Sequence, residues 1–209
     1  MHRPKGISGC RPIIHGHACP RSRRRFLRFL AMVMVWKLFE TTGLPAQQLK
    51  PGEYQVKAVY LYNFGRFVDW TATLPATKAD SFAICVIGQD PFGRILDSTL
   101  AGELIDQRKV IARRISRPQD AASCQVLFIS LSEDGRLKDI LLPLDKLRVL
   151  TVSDISHFSD RGGMIQFVLE KDKIRFQINL SNTERAGLSL SSELLKVAIA
   201  VKRNSPPGD

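Results

Sequence analysis

The chain has 209 residues and a formal net charge of +11. Nine Lys/Arg and one acid fall within residues 1–46, which leaves 22 basic and 19 acidic residues in the remainder. A nucleic-acid binder carries its basic excess on the folded part, so that partner class is set aside, and the roughly 160 residues after the leader are enough for one domain.

The leader comes first. Arg21-Ser-Arg-Arg-Arg-Phe-Leu-Arg28 precedes the apolar run Phe29 to Trp36, and Thr41-Thr-Gly-Leu-Pro-Ala46 supplies a small-residue exit. Basic, apolar, then small is the order of a secretory signal peptide. The apolar run is far below the 20 or so residues that span a bilayer. The prediction is an export signal over 1–46, cleaved near Ala46, with residues 1–20 an over-extended start or a disordered arm. The competing reading is an uncleaved interfacial helix with a basic face.

Tyr54 to Trp70 shows two adjacent apolar stripes at helical spacing, which predicts a packed helix. Thr71 to Asp80, with Pro75, reads as a loop. Phe82 to Ile87 runs without a charge and ends at Gly88, the pattern of a strand covered on both faces. Gly88 to Gly93 then turns the chain into a helix from Phe92 to Leu100, so the segment opens a βα unit. Lys109 to Ile115 alternates weakly and predicts a more exposed strand; Gln125 to Ser130 and Arg148 to Ser153 predict buried ones. Between them lies a turn, Ser132 to Gly135, and a short helix, Arg136 to Leu142, stopped by Pro143. Met164 to Glu170 and Lys173 to Leu180 alternate with period two around Lys171-Asp172, a hairpin with one solvated face. A last helix is predicted over Ser191 to Val201, with Ser191 as N-cap and residues 202–209 as a frayed tail. The fold class is therefore α/β. It is one domain over 51–201, a mostly parallel sheet flanked by helices, with a C-terminal antiparallel hairpin and terminal helix.

Cys10 and Cys19 fall in the leader, leaving Cys85 and Cys124 in the folded part. An even pair in an exported domain favours one disulfide; two buried free thiols are the alternative. His157 is the only histidine beyond the leader, so a zinc cluster or a Ser-His-Asp triad finds too few residues. No Walker A, HExxH, GxSxG or CxxC pattern occurs. An unrecognised enzyme would need Asp154, His157 or Asp160 to converge on a pocket. A parallel sheet also offers a crevice beyond its strand ends, here near Gly88 to Phe92 and Ser153 to Phe158. Asp160-Arg-Gly-Gly163 reads as a turn or a place of close approach by another chain. Asp90, Phe92, Asp154, His157, Phe158 and Arg161 are accordingly the residues expected to meet a ligand or partner. No metal or cofactor is expected.

Several runs, in order, resemble the YfiR/HmsC-like periplasmic family. They are Val56 to Phe64 with Phe67-Val-Asp-Trp70, Cys85 to Gly93, Ser123 to Ser130, Leu150 to Asp154, Arg161 to Ile165, Arg175 to Leu180 and Gly187 to Leu195. The resemblance implies a non-enzymatic periplasmic regulator that represses an inner-membrane diguanylate cyclase, or a related sensor protein, by contact. It also implies relief by an outer-membrane lipoprotein, with cyclic-di-GMP and biofilm output downstream. Cys85 and Cys124 match cysteines that pair in the family, while a second disulfide of some members has no counterpart here. A small-molecule-binding sensor of the envelope is the alternative, and a homodimer stays open.

Overall fold

The computed structural model describes residues 51–70, 81–145 and 147–203. The leader with Cys10 and Cys19, residues 47–50, the predicted loop 71–80 and residues 204–209 of the tail lie outside the described residues. All described residues belong to one compact unit, Leu49–Asp209.

The first helix, α1, is Pro51–Arg66, followed at once by a two-residue strand, β1, Val68–Asp69. Helical spacing alone predicts that α1 runs on to Trp70. It stops early because the Trp70 indole Nε1 donates to the Gly65 carbonyl at 2.7 Å, and β1 pairs with a short strand near the other end of the chain. The axis of the sheet is β2, Ser81–Ile87, in which every residue from Phe82 onward is buried. Helix α2, Arg94–Leu100, follows the turn, and strands β3, Leu104–Ile105, and β4, Arg108–Ile115, form a tight antiparallel pair. A 3-10 turn over Pro118–Ser123 leads into β5, Val126–Ile129.

A second 3-10 turn, Leu131–Arg136, runs into α3, Leu137–Leu144. Pro143 therefore does not stop the helix; it lies inside α3, at the seventh of eight residues. That near the end, a missing N–H removes a single backbone bond from a helix that was about to finish. Then come β6, Leu150–Ser153, and the hairpin of β7, Ile165–Glu170, with β8, Lys173–Asn179. The hairpin register is as predicted from the alternation, closing on Glu170 opposite Lys173. Lys171 and Asp172 both take positive φ (48° and 60°), which a two-residue turn of the twist-matching type requires.

The end of the chain departs furthest from expectation. Asn179 caps a short helix absent from the sequence reading, α4, Leu180–Arg185, its side chain accepting from the Asn182 amide. After β9, Ser189–Leu190, the predicted cap at Ser191 accepts from the Leu194 amide at 3.2 Å. Helix α5 ends at Val197, however, and the chain returns to the sheet as β10, Ala200–Lys202. Lys202, expected in the tail, pairs with Asn179 of β8.

The main sheet has the order β10-β8-β7-β6-β5-β2-β4-β3, and β1 with β9 makes a separate antiparallel ribbon. Pairs β2–β4, β2–β5, β5–β6, β6–β7 and β8–β10 are parallel; β7–β8 and β3–β4 are antiparallel. The sheet is mixed, mostly parallel, as the strand–helix alternation predicts. Side chains of β2 divide the core between two layers. Phe82, Ile84 and Val86 pack in the layer of α1 and α2, while Ala83, Cys85 and Ile87 pack in that of α3. Cys85 is joined to Cys124, with Cα atoms 5.9 Å apart and a sequence separation of 39. The bridge lies wholly in the α3 layer, tying β2 to the chain just before β5.

Candidate functional site

Strands β2, β5 and β6 run parallel and in step, with Ile87 opposite Ile129 and Ile129 opposite Ser153. The residues that follow them, Gly88, Ser130 and Asp154, therefore share one crest of the sheet, the place where parallel sheets hold ligands. Here the crest is filled from within. The Asp154 Oδ2 accepts from the Tyr54 hydroxyl at 3.0 Å and from Lys57 Nζ at 2.6 Å, both on α1. Lys57 is 3% exposed and also pairs with Glu53 at 2.6 Å. Its ammonium stands 4.5 Å from the Tyr54 ring centroid. Phe92 meets Tyr54 edge-on at 5.2 Å and Phe128 at 4.8 Å, so its ring belongs to the core.

The electrostatics make this a clamp. Burial, and after it the Asp154 carboxylate, hold the Tyr54 phenol well above its usual range, so it stays a hydrogen-bond donor. The Asp154 Oδ1 is buried and has no hydrogen-bond partner among the described residues. Neither Tyr54 nor Lys57 was singled out from the sequence. The available signal was Lys57 itself, one charge beside Ala58 on a buried helix face, four residues after Glu53.

The remaining expected contact residues are dispersed. Asp90 Oδ1 accepts from the Phe92 amide at 2.8 Å and Oδ2 from Arg114 at 2.9 Å, which makes it a turn-former. Arg114 also grips Asp97 at 2.7 Å and the Gly93 carbonyl at 2.7 Å. Hydrogen bonding to Arg114 holds the Asp97 carboxyl below its usual range. Phe158 is completely buried in the α3 layer, so like Phe92 it offers no ring to a partner. A Cβ on Gly163 would come within 2.2 Å of the Phe158 ring, which explains the glycine at that position. His157 is exposed, with its Nδ1 3.6 Å from Asp160. Asp160 is in turn held by Lys202 Nζ at 2.6 Å, and that bond lowers its carboxyl below the ordinary range. Arg161 is exposed and binds the Asp134 carboxylate and backbone carbonyl. Asp154 is thus paired with Tyr54 and Lys57 of α1, and Asp160 with His157 and Lys202. No cluster of His, Cys, Asp and Glu among the described residues is arranged to hold a metal ion.

The YfiR/HmsC-like family profile matches residues 54–199, well over half of the chain and nearly all of the described domain. The chain belongs to the YfiR/HmsC-like family. That family is periplasmic, regulatory and non-catalytic, and it works with signalling proteins. No curated protein matches this YfiR/HmsC-like chain. Among solved structures, a conserved domain protein from Vibrio cholerae O1 biovar El Tor is similar, with a TM-score of 0.50 at 9% identity. The likeness covers 69% of this chain and 60% of that one, and it shows an α/β fold. A domain from Streptococcus pneumonia, solved in complex with L-Trp, gives a TM-score of 0.39 at 10% identity over 58% of this chain and 55% of that one. Among the described residues, no helix is long and apolar enough to cross a membrane.

Proposed function

We propose that this YfiR/HmsC-like protein is exported by its basic leader and represses an inner-membrane diguanylate cyclase by contact from the periplasmic side. Lower cyclic-di-GMP, and with it weaker exopolysaccharide and biofilm output, follows from that contact. An outer-membrane lipoprotein that sequesters the regulator would restore cyclase activity. The single observation behind the reading is the family match across residues 54–199. The internal pairing of Tyr54 and Lys57 with Asp154 is in keeping with it, because those groups hold α1 to the sheet. A joined Cys85–Cys124 pair accords with an oxidising compartment. Affinity capture of the tagged protein from detergent-solubilised envelope membranes tests the reading. Enrichment of a membrane protein with a diguanylate cyclase domain is the expected outcome. Recovery of the bait from the cytosol alone, with no cyclase, would defeat it.

A further inference from the structure

A cleft of about 200 Å³ opens on the α3 side of the sheet, away from the crest. Its floor is Thr151, Met164, Asn182 and Ala186, all buried. The polar groups in that floor are bonded within the fold: Thr151 Oγ1 accepts from the Met164 amide at 3.2 Å, and Asn182 Nδ2 donates to the Gly163 carbonyl at 3.0 Å. Leu142, at the mouth, is 72% exposed, the most exposed large apolar side chain among the described residues. Lys138, Arg161 and Arg185 stand around the rim with the acid Asp145; Arg161 is held by Asp134, which leaves Lys138 as the rim cation with no ion-pair partner among the described residues. Arg185 reaches Asp145 through Nε at 3.1 Å, which leaves the other guanidinium donors for a further acceptor.

We propose that this cleft between α3 and α4 seats one apolar side chain of a partner protein whose flanking residues are acidic. The volume lies below the roughly 300–1,000 Å³ of small-molecule pockets and suits a single aromatic or branched side chain. A free metabolite on the floor would leave Leu142 uncovered, whereas a polypeptide crossing the mouth covers it. An apolar centre inside a charged rim is the arrangement of an interface hot spot, and a basic rim selects acidic neighbours. From the regulator reading the inference takes only that the occupant is a protein.

The probe is a fluorescein-labelled pentapeptide with phenylalanine between two pairs of acidic residues, followed by anisotropy. Saturable binding is expected, weakening with added salt. It should fall at least tenfold when the ring is truncated to alanine, when the acids become lysines, and in the protein variants Lys138→Glu and Leu142→Glu. Both positions are exposed, so unchanged melting temperatures should accompany the loss. Absence of saturable binding, undiminished binding in both variants, or equal affinity for N-acetylphenylalanine alone would overturn the proposal, the last by making the cleft a metabolite pocket. Envelope capture with the same variants separates the two readings. Cyclase capture undiminished by either variant sinks the cleft and keeps the regulator. Peptide binding without cyclase capture does the reverse.

Discussion

Lys57 shows how far one side chain can be from what its sequence context advertises. A lysine on a helix is ordinarily a solvated charge; this one lies between Glu53 and Asp154, at 2.6 Å from each. Removing one partner of a buried pair leaves an uncompensated charge and costs about 3 kcal/mol or more. Lys57→Ala should therefore lower the unfolding free energy by about 3 kcal/mol in urea titrations. The double variant Lys57→Met with Asp154→Leu should lose less than the two single changes together, because their effects are coupled. Gly163→Ala should cost about 1–3 kcal/mol by overpacking against Phe158, and a Phe158→Leu background should recover part of it. The Asp97 carboxyl has a folded pKa below its unfolded one because of Arg114. Its contribution is thus complete above about pH 4, the unfolded value, and fades as pH falls through the folded one. Asp97→Asn should destabilise at pH 6, by an amount that shrinks as pH is lowered below about 4, as read from urea midpoints. The burial of Phe92 and Phe158 is hidden in the sequence for a physical reason. An aromatic in a Gly/Asp/Ser turn looks exposed, and only packing across layers shows that the turn folds its ring inward.

At the scale of elements, local patterns served well where the determining contacts are local. The charge-free run of β2, the alternation of β7 and β8, and the Ser191 cap all declare themselves within a few residues. The end of α5 does not. Val197 to Val201 continues a pattern compatible with a helix, and its return to the sheet depends on pairing with β8, some twenty residues earlier in the chain. The Ile199 amide donates to the Phe176 carbonyl at 3.0 Å at this junction. Ile199→Pro removes that donor and should unpair β10, read as faster amide exchange over residues 176–179. The disulfide is the other long-range determinant. On the chain-entropy view, closing a loop of this length stabilises by roughly 4 kcal/mol. Cys85→Ala with Cys124→Ala should lower the urea-derived stability by about that amount and leave the fold class intact, as judged by far-ultraviolet circular dichroism.

Taken whole, the molecule divides its charge and its structure. The basic excess sits in residues 1–46, and the domain that follows is close to neutral, two-layered and stapled in one layer. Tyr54 and Lys57 tie α1 to the sheet at its crest through Asp154. That division was legible in composition; the cleft beside α3 was not, since its rim residues are scattered from Lys138 to Arg185 and meet only after folding. On the proposed function, the folded domain restrains a cyclase. The most direct test is the cellular cyclic-di-GMP level in an otherwise identical strain with the coding sequence deleted. The prediction is a rise of several-fold, reversed by the wild-type protein and not by a leaderless form. An unchanged or lower level on deletion would contradict it.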